Sequence, residues 1–245
     1  MNLSMELVLA IVGIIITVIL SGPVIKWSIM TYRRWSSRRK WSADLHVEKA
    51  VISTSDHYAF EYWHQKVSVD SKGIAEHIID SRIVNLGTGV LNHVRFVIYC
   101  DASGVPRSEV RAWAKIGRKQ QDTSVEEWIP ERCRGCIRIH FDPPLVPGQR
   151  KCLWWGYTIP APTFSPGDEY YNFDCSTPHY ELVFDIRFAA EWSILYARWG
   201  DALSNIAPAP IVTKCSLLYH TTFPQKGTRV SMLFGLHHAG ARRVT

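Results

Sequence analysis

Residues 74–100 read IAEHIIDSRIVNLGTGVLNHVRFVIYC, in which two runs, Ile74–Leu86 and Leu91–Cys100, alternate apolar and polar side chains around Asn85-Leu86-Gly87-Thr88-Gly89. Alternation at period two places successive side chains on opposite faces of a strand, whereas a helix repeats a face about every 3.6 residues. Asn and Gly tolerate the positive φ of a tight turn, so the spacing predicts strand, turn and strand in one β-hairpin. Working outward, the same period marks His57–His64 (HYAFEYWH), Cys136–Phe141, Lys151–Ile159, Tyr180–Phe188, Trp192–Arg198, Lys214–His220 and Arg229–Leu236. Pro143, Pro144, Pro147 and Gly148, then Pro160, Pro162, Pro166 and Gly167, punctuate these runs. Many short strands separated by Pro/Gly turns describe an all-β antiparallel sandwich rather than alternating βα units. Helical spacing is found mainly over Ser108–Trp128 and weakly over Ala189–Tyr196. No repeat and no long polar linker interrupts residues 42–240, which read as one domain, followed by a basic tail, 241–245, that holds Arg242 and Arg243.

Composition narrows the class. With 47% hydrophobic and 12% aromatic residues, the 245-residue chain is not disordered, collagenous or coiled coil. Its net charge of +6 is carried by the two ends, while the centre is mildly acidic, so a nucleic-acid groove across the whole domain is not expected.

No charged residue occurs from Leu7 to Ile25. At about 1.5 Å per residue such a helix spans a hydrocarbon core of about 30 Å. A cleaved signal peptide is the competing reading, but no Lys or Arg precedes the run, and Pro23 follows Ser21-Gly22 where a cleavage site would be sought. Lys26, Arg33, Arg34, Arg38, Arg39 and Lys40 all fall on the C-terminal flank, interleaved with Trp27 and Trp35 as side chains suited to lipid headgroups. The positive-inside rule then predicts a single-pass inner-membrane protein, N-terminus outside and C-terminal domain cytoplasmic. Gly13, Thr17 and Ser21 share one stripe of that helix, where small side chains favour self-association; hydrogen bonding of the two hydroxyls to their own turn is the alternative.

The strings IVNLGTGVLNHVRFVIY (83–99), PPLVPGQRKCLWWGYTIP (143–160) and YELVFDIRF (180–188) carry a family resemblance. They resemble the immunoglobulin-like sandwich domains attached to membrane helices in small bacterial proteins, among them effectors of nucleotide-signalled antiphage systems. The resemblance implies a sensor domain controlling membrane helices, a nucleotide or short oligonucleotide as ligand, and a role in antiphage defence.

Motifs for chemistry are sparse. No Gly-x-Ser-x-Gly elbow, His-Glu-x-x-His pair, Walker loop or Gly-x-Gly-x-x-Gly fingerprint occurs, and an enzyme is not expected. His57, His64, His77, His93 and His140 lie near strand-like runs as isolated residues. Cys133 and Cys136, with His140 and Cys152, offer a zinc-like ligand set, although one close pair plus two scattered ligands departs from the usual two tight pairs; reduced, buried thiols are the plainer reading, and no cofactor is expected. Trp154 and Trp155 follow Arg150-Lys151, and alternation puts them on opposite faces. One then belongs to the core, while the other is left beside cations where it could stack a base or meet another subunit, unless a second layer buries both. Arg118 and Lys119 are further candidate contacts for an anionic ligand.

Together these features predict a transmembrane helix followed by an immunoglobulin-like sandwich. Its function would be to sense a ligand and, as a homo-oligomer, to control a membrane pore. A tethered module that binds a partner protein through an exposed strand edge is the alternative.

Overall fold

In the computed structural model, the described residues are 57–100, 102–200, 208–222 and 229–240. Fourteen strands run in chain order: β1 (Tyr58–Val69), β2 (Ile74–Asn85), β3 (Leu91–Tyr99), β4 (Arg111–Ile116), β5 (Lys119–Gln121), β6 (Thr123–Ile129), β7 (Arg134–Leu145), β8 (Arg150–Pro162), β9 (Gly167–Asp174), β10 (Glu181–Phe188), β11 (Trp192–Trp199), β12 (Ile211–Val212), β13 (Ser216–Thr222) and β14 (Arg229–His238). Eight form one large sheet in the order β12-β13-β10-β1-β2-β8-β4-β5. Two smaller sheets, β3-β7-β6 and β11-β14-β9, pack on one face of it. The chain passes between the large sheet and a small one at most of its connections, so every sheet is stitched from distant segments.

Sequence alternation explains the layering. On β2, Ala75, His77, Ile79, Ser81 and Ile83 are buried while the intervening side chains are more exposed, and on β10 Leu182, Phe184, Ile186 and Phe188 are buried in the same way. The core is strongly aromatic. Trp63, Phe96 and Trp155 join the large sheet to β3, while Trp63, Phe173 and Phe184 join it to β9.

The β1–β2 hairpin turns on Asp70, whose Oδ1 accepts the amides of Lys72 (2.8 Å) and Ile74 (2.9 Å). Gly73 has φ +83°, and its carbonyl accepts the amides of Thr163 and Phe164 from the end of β8. A Cβ there would collide with the Phe164 carbonyl oxygen. Gly73→Ala is therefore expected to cost on the order of 2 kcal/mol, from positive φ and the clash together, read as a lower urea midpoint at unchanged slope.

Several expectations are corrected. The sheet is mixed rather than antiparallel throughout, because β1 and β10 pair in parallel from Trp63↔Leu182 to Val69↔Phe188, and the second layer is two separate sheets; this is not an immunoglobulin-like arrangement. Asn85–Gly89 does not close a hairpin, since β2 pairs with β1 and β8 while β3 pairs with β7. The buried Asn85 amide instead donates to the carbonyls of Gly89 and Leu145, both at 2.8 Å, fixing the step from one layer to the other. Ser108–Trp128 forms β4, β5 and β6, and Ala189–Tyr196 leads into β11.

Among the described residues the only helices are two 3₁₀ turns, Arg107–Glu109 and Pro130–Arg132, and none is long and apolar enough to cross a membrane. The transmembrane-helix architecture, the single-pass inner-membrane placement and the pore built on it are corrected accordingly and are not carried further. Gly13, Thr17 and Ser21, the flank Lys26, Trp27, Arg33, Arg34, Trp35, Arg38, Arg39 and Lys40, and the tail 241–245 lie outside the described residues.

Candidate functional site

The residues singled out for ligand contact do not form one site. Trp154 is 48% exposed on the outer face of the large sheet, with Trp113 edge-on to it at 5.3 Å and the Lys115 ammonium near both rings, at 5.9 and 5.8 Å. Arg150 and Arg82 converge on the buried carboxylate of Glu61, so Arg150 is engaged within the fold. Lys119 pairs with Asp142 at 2.7 Å, Lys151 donates to the Pro143 carbonyl at 3.2 Å, and Arg118 is exposed in the β4–β5 turn. Trp155 is 1% exposed and points to the inner face, stacked on Phe96 at 4.3 Å.

Cys133 is buried, with its Sγ toward the Pro130 carbonyl; Cys136 lies by Glu127, and Cys152 is on the other sheet beside Tyr62. Cys133, Cys136, Cys152 and Cys215 are free thiols. Among the described residues no three His, Cys, Asp or Glu side chains gather where a metal ion could be held.

The structure brings together a different set. Strands β3 and β9 are the facing edges of the two small sheets, and between them lies a cavity of about 290 Å³ floored by β1, β2 and β8. Its floor comprises Phe60, Trp63, Gln65, His77, Trp155 and Tyr157. A β-bulge between Phe60 and Tyr62 puts Phe60 and Trp63 on the inner face together, ring centroids 5.1 Å apart, and turns Glu61 and Tyr62 outward.

A polar network crosses this floor. Trp63 Nε1 donates to Gln65 Oε1 at 3.1 Å, and Gln65 Nε2 donates to the Tyr171 hydroxyl at 2.6 Å and approaches His77 Nδ1 at 3.0 Å. The Tyr171 hydroxyl reaches the same Nδ1 at 3.2 Å. Two donors aimed at Nδ1 assign the His77 proton to Nε2. Its ring stacks on Tyr157 at 4.3 Å, and burial pulls its pKa down to about 3. Burial raises the Tyr157 and Tyr171 hydroxyls, so all three groups are neutral at neutral pH.

His179 sits just before β10 and is held to β1 by two backbone bonds, Phe60 N to Pro178 O and Tyr180 N to Phe60 O, each 2.9 Å. Its Nδ1 donates to the Thr177 carbonyl at 2.7 Å, which leaves Nε2 as a bare acceptor; burial lowers its pKa to about 4. Among the described residues Nε2 has no partner, and neither does the indole Nε1 of Trp155. Four buried side-chain polar atoms lack a partner among the described residues, and these two belong to residues that line one cavity. A buried polar group left unsatisfied costs about 1–3 kcal/mol, which a ligand offering the complementary groups would recover. Both atoms are closed to solvent behind the cavity's aromatic wall, so a ligand would gain this donor and acceptor only as side chains of that wall shift.

Sequence reasoning named Trp155 but missed Trp63, Gln65, His77, Tyr171 and His179 as a group. His77 carried a usable signal, since it alternates with Ala75 and Ile79 on an apolar face. The bulge at Phe60–Tyr62 and the loop that carries His179 leave no periodic trace.

No protein-family model matches the chain, and no curated relative does. Among solved structures, an M1 zinc metallopeptidase from Deinococcus radiodurans is similar over 75% of this chain and 45% of its own, at TM-score 0.43 and 12% identity. Yeast LTA4 hydrolase in complex with bestatin is similar over 73% of this chain and 29% of its own, at TM-score 0.42 and 8% identity. The chain spans less than half the length of either of these two hydrolases.

Proposed function

We propose that residues 57–240 are a recognition domain that takes its ligand into the cleft between β3 and β9. The observation that carries this reading is the coincidence of a 290 Å³ cavity, an interrupted inner layer and two unsatisfied polar atoms, Trp155 Nε1 and His179 Nε2. The cavity falls just short of the usual range for ligand sites, about 300–1,000 Å³, and is mostly aromatic with a few polar groups, as such sites are. A nucleotide, the ligand implied by the family resemblance, would place its base there.

A second reading has its own observation. Exposed Trp154, with Trp113 and Lys115, is a platform on which a base could stack, on the opposite face of the large sheet.

One experiment separates the two. The full chain is titrated with adenosine 5′-monophosphate and, separately, with an N-acetylated tripeptide amide, following the unfolding temperature. The cleft reading expects a saturable rise with at least one probe, weakened about tenfold in Trp155→Phe, as loss of one hydrogen bond to a buried donor would give, and unchanged in Trp154→Ala. Dependence on Trp154 alone would move the site to the outer face. No saturable response to either probe would overturn both readings.

A further inference from the structure

The chemistry of the cleft's walls narrows its occupant. Among the described residues, strand β3 pairs only with β7 and β9 only with β14, so each presents its other edge to the cleft. Among the described residues no backbone hydrogen bond runs from β3 to β9; the contact across the gap is a side chain's, the Tyr99 hydroxyl donating to the Asn172 carbonyl at 3.3 Å. Facing strand edges carry rows of amide donors and carbonyl acceptors, which native folds otherwise cover or blunt. The rim adds apolar surface, with Val97 57%, Tyr99 41% and Tyr170 63% exposed on the same two strands. Side chains of an added strand would alternate between this rim and the aromatic floor.

Resting on the reading of the cleft as the ligand site, we propose that its ligand is an extended polypeptide segment, inserted as a seventh strand that joins the two three-stranded sheets. Its backbone would bond to β3 on one side and β9 on the other, displacing the Tyr99–Asn172 bond. One inward side chain would enter the cavity; with the aromatic wall displaced so that it reaches the solvent-closed Trp155 Nε1 and His179 Nε2, a residue that both donates and accepts, such as Asn, Gln or Ser, fits that position. A free nucleotide offers no second row of backbone groups and would leave both edges uncovered.

The test selects binders to the full chain from random ten-residue peptides displayed on phage, then synthesises the tightest with each backbone nitrogen methylated in turn. Neighbouring amides of a strand point to opposite sides, so a segment bonded on both edges should lose affinity tenfold or more at every consecutive position over at least four residues. Sensitivity at alternate positions only would mean addition to a single edge and overturn the insertion. Indifference to methylation would overturn strand addition altogether. Binding by the selected peptide should also weaken about tenfold in Trp155→Phe; unchanged affinity would place the peptide elsewhere and overturn the proposal. If no peptide is selected while adenosine 5′-monophosphate still gives a Trp155-dependent response, the cleft reading stands and the peptide proposal falls. Silence from both probes fells both.

Discussion

Replacing Trp155 by alanine is expected to destabilise the domain by about 3–5 kcal/mol, whereas phenylalanine there is expected to stay within about 1 kcal/mol of the parent. The indole is 1% exposed, stacked on Phe96 at 4.3 Å and set edge-on to Trp63 at 5.6 Å, so it ties the large sheet to β3. Alanine removes that contact and leaves a hole that the strands around it cannot close. Phenylalanine loses part of the ring but also deletes a buried donor with no partner, and the two effects oppose each other. Urea unfolding of the three proteins checks the stabilities. A phenylalanine variant as unstable as the alanine one would mean that the indole N–H is satisfied in the folded protein, and the case for a ligand partner at that atom would be lost.

The second large effect is acid sensitivity. His77 and His179 are buried and neutral, with pKa values held by burial near 3 and 4 against an unfolded value of about 6.5. Between the folded and unfolded values the unfolded chain binds more protons, so stability is fully present above about pH 6.5 and falls as pH drops toward 4. Each histidine contributes a slope of up to about 1.4 kcal/mol per pH unit, or about 2.7 for the pair. Unfolding free energy measured by urea at pH 7.0 and 5.0 should fall by several kcal/mol, and the double variant His77→Gln, His179→Gln should flatten the dependence. A parent curve already flat over this interval would show that the two rings are solvated or charged in the folded state.

The two histidines also mark how far periodicity can reach. Alternation in IAEHIIDSRIVN gave β2 and its buried face, and the runs Lys151–Ile159, Tyr180–Phe188 and Arg229–Leu236 correspond to strands β8, β10 and β14. Alternation is a local property, however, and does not say which edges meet. It therefore could not distinguish a hairpin at Asn85–Gly89 from a crossover between layers, nor an antiparallel sandwich from a sheet with β1 and β10 in parallel. The helical reading of Ser108–Trp128 failed because three short strands with a tight turn at Gly117 scatter their apolar residues at mixed spacings.

The site was less legible than the fold for a related reason. Its members come from β1, β2, β3, β8, β9 and the loop before β10, segments as far apart as Phe60 and His179, and they meet only through the topology. Cations adjacent in sequence to Trp154 drew attention to the outer face, yet Arg150 is occupied by Glu61 and Lys151 donates to the Pro143 carbonyl. Trp155, one position further on, is the residue that reaches the cleft.

The central claim is that this cleft receives a ligand at Trp155 and His179. Its most direct test is the indole N–H resonance of Trp155 in the ¹⁵N-labelled full chain, assigned by its disappearance in Trp155→Phe and followed during titration with the selected decapeptide and with adenosine 5′-monophosphate. The account expects a downfield shift with one of these probes as the indole gains an acceptor, together with intermolecular contacts to His179 and no change at Trp154. Saturation with either probe that moves Trp154 and leaves Trp155 in place would contradict it.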